Sequence, residues 1–383
     1  MKILSELVLL AAGGTGGHLF PAEALAGVLT ARGFTVDLAT DARAARYAGH
    51  FPARELHVLP ADTVRGRSAV SLARTGIALV SGLVSGLALM RRLKPACVVG
   101  FGGYPTVPPL LAASISGLPT ALHEANGVMG RANRMLARRV GAIATGFPGL
   151  CRNDPVLDAK AVWTGNPLRP AAVAAAALAY DPPAPGGPLK LLVFGGSQGA
   201  RVMSDVVPDA IGLLDGALRG RLQVVQQARE EDADRVRAAY AALGVSAEIA
   251  TFFDDLPARM AAADLVISRS GAGTVAELSA IGRPAILVPL PHALDQDQAA
   301  NARALADVGG AKVLRQVEFD PERLALEIHT FAGEPDALTR MADKARSQGV
   351  LDAAERLGDL VQHLAGGGTV KTFKDKTIKE PHA

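Results

Sequence analysis

The chain has 383 residues, 49% of them hydrophobic and 4% aromatic, with a formal charge of +3 and two cysteines. That length allows two ordinary domains with separate cores, and the charge is too small to mark a nucleic-acid binder. Cys97 and Cys151 stand far apart with no C-x-x-C, which excludes a disulfide framework or a cysteine zinc site and fits a reducing cytoplasm.

In chain order, "LSELVLLAA" predicts a strand that runs directly into "GGTGGH" and then a helix, "PAEALAGVLTARG", closed by Gly33. The start "MKILSELVLLAAGG" mimics a signal peptide, but Glu6 interrupts the apolar run and the glycines stand where a cleavage site would be. It is read as a buried first strand. "FTVDLAT" is the next strand, and "IALVSGLVSGLALM" (77–90) is an apolar stretch too short to span a bilayer. "ACVVGFGG" is a strand ending in glycines, "TVPPLLAASISG" a helix and "PTALHEA" a strand. After the proline–glycine stretch "AYDPPAPGGP", the segment "LKLLVFGGSQGA" repeats the opening design of strand, paired glycines, hydroxyl residue, glycine and helix. "LQVVQQA", "AEIATFFDD", "ADLVISRSGAGTVAEL" and "RPAILVPLP" continue the alternation, and "VLDAAERLGDLVQHLA" is a closing helix. The pattern predicts an α/β protein of two Rossmann-like domains facing across a cleft, with ligands beyond the carboxyl ends of the strands. The expected divisions are 1–165, 166–345, a closing helix over 346–365 and a disordered polar tail over 366–383.

Gly13, Gly14, Gly16 and Gly17 present backbone N–H groups at a helix start, a natural anion site. Neither glycine turn is a P-loop, since both lack the required lysine. A third turn, "GAGTVA", fits the dinucleotide fingerprint G-x-G-x-x-A, with Asp295 further on, so a nicotinamide oxidoreductase stays open. Thr274 and Glu277 have capping-box spacing; alternatively, Glu277 accepts hydrogen bonds from a ribose diol. His18 stands at the rim of the first glycine turn, and His123 with Glu124 ends a strand; an imidazole titrating near neutrality suits general-base work on a hydroxyl. "DQD" (295–297) matches the metal motif of cation-dependent sugar transferases, but no second acidic cluster completes a site.

With "GGTGGHLFPAEALA", "GFGGYPTVPPLLAA", "LHEANGVMGRANRMLA", "TGNPLR", "VFGGSQGA" and "SRSGAGTVAEL" in this order, the chain resembles the MurG family from Gly13 to about residue 360. The family moves GlcNAc from UDP-GlcNAc to a lipid-linked MurNAc-pentapeptide in peptidoglycan synthesis. The resemblance implies the GT-B glycosyltransferase type of fold, with donor nucleotide in the C-terminal domain and the lipid I acceptor in the N-terminal one. It implies that Thr15, Gly16 and Gly17 contact donor or pyrophosphate, and that Asn126 and Arg169 belong to the donor site. Ser197 would hold a phosphate, and Phe253 lies where the family sets a backbone group against uracil. Ala272, Gly273, Thr274, Val275, Ala276 and Glu277 would cover ribose and phosphate, and Gln298 the sugar hydroxyls. Asp297 departs from the pattern, standing where many members have histidine.

The implied reaction is an inverting displacement by the acceptor C4 hydroxyl, with catalytic His18 as base and Glu124 as second candidate. No metal and no cofactor are expected. A lipid-linked acceptor gives residues 77–90 a second reading besides a core helix: with Arg65, Arg67, Arg74, Arg91, Arg92 and Lys94, and with Arg131, Arg134, Arg138 and Arg139, they suit an anionic membrane surface. The expected location is peripheral, on the cytoplasmic face of the bacterial inner membrane. Within the same fold a UDP-GlcNAc 2-epimerase or a glycolipid galactosyltransferase remains, and a non-catalytic nucleotide-sugar binder would bind UDP but release none.

Overall fold

The apolar run before the first glycines forms β1 (Leu7–Ala11), and its alternate residues enter two different cores. Val8 and Leu10 pack on one face of a sheet and Leu9 and Ala11 on the other, so a strand covered on both sides has no polar position to offer. The computed structural model describes residues 6–13, 16–42, 51–60, 69–196, 199–291 and 296–379, side chains of 69–78 and 377–379 excepted. The chain divides into two units, residues 1–169 with 352–383, and residues 170–351.

In the first unit β1 is followed by α1 (Gly16–Ala31), β2 (Thr35–Thr40), β3 (Leu56–Val58), α2 (Ala69–Leu93), β4 (Cys97–Gly100) and α3 (Val107–Ile115). Then come β5 (Thr120–Glu124), α4 (Arg131–Leu136), β6 (Ala142–Thr145), α5 (Pro155–Asp158) and β7 (Ala161–Trp163). The second unit holds α6 (Pro170–Ala176), β8 (Leu189–Phe194), α7 (Arg201–Gly212), α8 (Gly216–Arg219), β9 (Leu222–Gln227), α9 (Glu230–Ala242), β10 (Ser246–Ala250) and α10 (Leu256–Ala262). It continues with β11 (Leu265–Ser268), α11 (Ala272–Ile281), β12 (Ala285–Leu287), α12 (Asp297–Ala306), β13 (Lys312–Val313), α13 (Pro321–Gly333) and α14 (Pro335–Arg346). Two helices, α15 (Ala353–Ala365) and α16 (Val370–Lys379), return to the first unit.

Both sheets are parallel between all paired strands, in the orders β3-β2-β1-β4-β5-β6-β7 and β10-β9-β8-β11-β12-β13. The order reverses between β1 and β4 and again between β8 and β11. In such sheets the crevice beyond the strand ends at the reversal is where ligands bind. Each glycine turn lies there.

α2 contains the whole 77–90 stretch and packs on α3. A Cβ at Gly82 would fall 2.2 Å from the Pro60 carbonyl oxygen, and one at Gly86 3.0 Å from the Ala112 methyl, so the two glycines let the helix lie close. Leu89 and Met90 are buried on that side, whereas Val80 and Val84 are 64% and 62% exposed. No helix of the described residues is long and apolar enough to cross a membrane.

Three expectations change. α1 begins at Gly16 rather than Pro21, so Gly16, Gly17 and His18 form its first turn. The first unit extends to Arg169 and regains the chain at Asp352, because Leu357, Leu360, Val361 and Leu364 of α15 enter the core beside Leu25 and Leu29 of α1. Arg32 of α1 also pairs with Glu355, and with Asp359 at 2.8 Å. Residues 370–379 of the expected disordered tail form α16, whose Val370 is buried in the same core and whose Phe373 ring lies 5.5 Å from that of His363.

Candidate active site

In the first unit the chain leaves β1 through Gly13, which is squeezed between Pro105 and Thr40: an added Cβ would fall 2.9 Å from the Pro105 Cβ and 3.0 Å from the Thr40 hydroxyl. The Thr106 hydroxyl lies 2.6 Å from the Gly102 carbonyl oxygen and 3.2 Å from that of Ala11, joining the ends of β1 and β4. His18, half-buried in the first turn of α1, lays its ring against Gly102 and Gly103. Those two glycines have φ of 92° and 76°, and a Cβ on either would stand 3.2–3.3 Å from the imidazole, so backbone conformation and space both require glycine.

Glu124 ends β5 and is 2% exposed. Its Oε1 accepts from the Asn126 amide at 3.0 Å and from the Asn126 side chain at 3.1 Å; its Oε2 accepts from the Gly130 amide at 2.9 Å and from Asn133 Nδ2 at 2.8 Å. Four donors fill the carboxylate. That arrangement makes Glu124 the brace of the 125–130 loop and argues against its service as a base. His123 is fully buried; its Nε2 donates to the Gly165 carbonyl at 3.1 Å, and burial, with the nearby His18 adding to it, pushes its pKa down to about 4. Asn166, of the "TGNPLR" stretch, donates to the Ala125 carbonyl at 2.9 Å and lies against Gly146, where a Cβ would fall 2.4 Å from its Oδ1. Arg169 places its guanidinium 4.6 Å from the centre of the Phe20 ring, and Phe20 in turn lies over Gly16.

In the second unit Gly195 follows β8. A Cβ there would meet the Ala200 nitrogen at 2.2 Å, and its own amide donates to Gln227 Oε1 at 3.0 Å. Gly196 and Gly199 have φ of 85° and 65°. Ser197, like Thr15 and Asp295, lies outside the described residues. Phe253 is buried under the Arg259 guanidinium, 4.4 Å from its ring centre, so its side chain is not open to a base, while Phe252 beside it is 55% exposed.

α11 is capped by Gly271, with Thr274 at its third position. The capping-box reading of Thr274 and Glu277 therefore fails: the helix already starts at Ala272, so Thr274 lies inside its first turn. The amides of Ala272, Gly273 and Thr274 have no acceptor within the helix and point out of its start. Gly273 is exposed and a Cβ there would meet nothing within 4 Å; Val275 and Glu277 are buried and Ala276 half-buried. Gln298 of α12 turns its Oε1 to the Leu290 amide at 3.0 Å, which leaves the NH₂ as the end able to donate to a ligand hydroxyl. Asp297 accepts from the Gln298 amide at 2.9 Å, a negative charge at a helix start.

Sequence reasoning overlooked Asn133, Gln227 and Arg269. Asn133 and Arg269 stand inside the quoted "RANRML" and "SRSGAG" stretches, and their polar character in buried helix- and strand-end positions was the available signal. Arg269 is 8% exposed, and burial pushes its pKa below the ordinary guanidinium value. Among the described residues the metal-type side chains that gather are Asp37, Glu55 and His57. Arg54 already grips both Asp37 oxygens at 2.9 and 2.7 Å, His57 Nε2 lies 2.9 Å from Oδ2, and Arg92 lies 3.3 Å from His57 Nδ1, which makes the group an ion-pair network.

Residues 8–145 match the glycosyltransferase family 28 N-terminal domain and residues 190–357 the C-terminal domain of the same family. The chain is 62% identical over 361 residues to a protein of Rhodopseudomonas palustris (strain HaA2) named UDP-N-acetylglucosamine–N-acetylmuramyl-(pentapeptide) pyrophosphoryl-undecaprenol N-acetylglucosamine transferase, covering 94% of this chain and 99% of that one. A protein of the same name from Nitrobacter hamburgensis is 59% identical, over 94% and 98% of the two chains. Among solved structures, MurG of Acinetobacter baumannii superposes with a TM-score of 0.75 at 30% identity, over 93% of this chain and 99% of that one. A UDP-GlcNAc 2-epimerase from Neisseria meningitidis, at 13% identity and a TM-score of 0.63, shares the fold.

Proposed function

We propose, starting from the fact that the chain belongs to glycosyltransferase family 28, that it transfers GlcNAc from UDP-GlcNAc to the C4 hydroxyl of MurNAc in undecaprenyl-pyrophosphoryl-MurNAc-pentapeptide. The observation that carries this reading is the likeness, at 59–62% identity over nearly the whole of both chains, to transferases named for that reaction. The site chemistry supports it. His18 takes the proton from the attacking hydroxyl, and the second unit holds the donor. As the bond from the anomeric carbon to UDP breaks, negative charge grows on the pyrophosphate. The amides at the start of α11 are fixed donors for it, and losing one such donor typically costs about 3–4 kcal/mol at the barrier. Glu277 takes the ribose diol and Gln298 a sugar hydroxyl, and Asn126 and Arg169 are the donor-contact candidates that the first unit offers. Glu124 and Asn133 act indirectly, by holding the Asn126 loop.

The reaction needs no metal in this reading, since fixed amides do the charge stabilisation. The lipid-linked acceptor brings the protein to an anionic membrane surface, which the exposed Val80 and Val84 of α2, the arginines 91 and 92 that end it, and exposed Arg131, Arg134 and Arg139 suit. The test is UDP release from UDP-GlcNAc with and without a soluble lipid I analogue, with UDP-GalNAc as control and EDTA present throughout. Acceptor-dependent release confined to UDP-GlcNAc is expected. Release without acceptor would favour an epimerase or hydrolase and overturn the reading.

A further inference from the structure

Arg269 is a buried cation whose hydrogen-bond partners are neutral. It follows β11 directly; Nη1 donates to the Val288 carbonyl at 3.0 Å and to the Pro289 carbonyl at 3.1 Å, and Nη2 to the Gln316 carboxamide oxygen at 2.6 Å. The guanidinium therefore fastens the chain leaving β12 to the end of β11 and to the turn after β13. The next residue fastens the other end of the same segment. The Ser270 hydroxyl donates to the Gln298 carbonyl at 2.8 Å, and Asn301 Nδ2 donates to the Ser270 carbonyl at 3.1 Å. Gln298 Oε1 closes the circuit on the Leu290 amide at 3.0 Å. Two adjacent residues thus fix where Leu290 and Gln298 stand relative to the start of α11.

We infer that Arg269 is a positioning residue for the sugar of the donor: by holding Val288 and Pro289 it sets the Leu290 amide that orients the Gln298 carboxamide. This rests on the reading that Gln298 meets the sugar of UDP-GlcNAc. A lysine cannot replace it, because one ammonium has no planar fork to span two successive carbonyls and the Gln316 amide together. None of the Arg269 bonds goes to α11, so nucleotide binding at that helix start is left alone.

The test uses the full chain and the variants Arg269→Lys, Arg269→Met, Gln298→Ala and Arg269→Lys/Gln298→Ala. Titration with UDP measures nucleotide binding, and kcat/KM for UDP-GlcNAc over UDP-GalNAc measures sugar recognition. Arg269→Lys and Arg269→Met should lower that ratio about tenfold or more while the Kd for UDP moves by less than about threefold. The double variant should be no worse than Gln298→Ala, since both substitutions remove one coupled interaction. If Arg269→Met does not fold, Gln316→Ala, which removes one bond of the three from the half-buried turn, should lower the ratio in the same direction by less. An unchanged ratio, a parallel loss of UDP affinity, or additive losses in the double variant would overturn the inference. If Gln298→Ala alone leaves the ratio intact, the reading of Gln298 fails, and the inference with it.

Discussion

The Asn133 side chain donates to the buried Glu124 carboxylate at 2.8 Å, and that bond joins the end of β5 to the first turn of α4. Asn133 Nδ2 also lies 3.2 Å from the His123 carbonyl, so one amide serves two successive residues of the strand end. The Asn126 loop is held on these groups. Glu124→Gln turns an NH₂ toward donors that need an acceptor, and Glu124→Ala leaves them with none. Each unsatisfied buried group costs about 1–3 kcal/mol, so either variant should lose about 2–4 kcal/mol in urea unfolding. Activity should fall, yet the acidic limb of its pH profile should stay in place. Unchanged stability with activity abolished would make Glu124 the base instead.

His18→Ala should lower kcat by about 10²–10⁴-fold, the usual contribution of a general base, and leave UDP affinity unaltered. Gly102→Ala approaches the same ring from behind. Its Cβ would stand 3.2 Å from His18 Cε1 on backbone with φ of 92°, and left-handed geometry costs a non-glycine residue about 1–2 kcal/mol. It should therefore reduce both stability and kcat. Full activity in His18→Ala would remove the imidazole from the mechanism.

Gly195 and Gly273 make a contrasting pair in the second unit. At Gly195 a Cβ would fall 2.2 Å from the Ala200 nitrogen, so Gly195→Ala must distort the turn itself and lower stability. At Gly273 the fold has room, with nothing within 4 Å of an added Cβ. Gly273→Ala in the first turn of α11 should stabilise the protein by as much as about 0.5–1 kcal/mol while weakening UDP binding. Calorimetric melting and UDP titration on one preparation read both effects. Undiminished UDP affinity would mean that no phosphate approaches that backbone.

His123 gives the protein a pH dependence with a definite sign. Its folded pKa, about 4, lies below the ordinary value of 6.5, so between those values the unfolded chain binds a proton that the native one does not. This contribution to stability is complete above pH 6.5 and is lost as the pH falls toward 4. By pH 5 the loss should be about 2 kcal/mol. Urea midpoints at pH 7 and pH 5 should differ accordingly in the wild type, and His123→Gln should show less of the difference. An equal slope in that variant would assign the effect to other groups.

The order of strands and glycine turns was open in the sequence because a strand covered on both faces is apolar at every position, as Leu7–Ala11 is. Edge strands were less visible. β3 has three residues with only His57 buried, and β7 has none buried, so neither has a run to recognise. The carboxylate of Glu124 could be seen to end a strand. What its oxygens meet depends on Gly130 and Asn133, which a loop brings back, and no spacing rule reports that. Spacing alone left the role of Thr274 and Glu277 open, because a threonine followed three residues on by glutamate has the same pattern whether it opens a helix or lies within one. The tail's lysines concealed two apolar positions, Val370 and Phe373, that were enough to seat a helix on an existing core.

Because Leu357, Leu360, Val361 and Leu364 complete the core around β1, the half of the chain that is synthesised first is finished last. Residues 170–351 can leave the ribosome and fold while the earlier sheet still exposes the groove over α1. Trimming the chain at Leu351 would thus spare the unit next to the cut and strip apolar cover from the distant one, leaving a nascent product in which the amino-terminal half is the part that chaperones and proteases find.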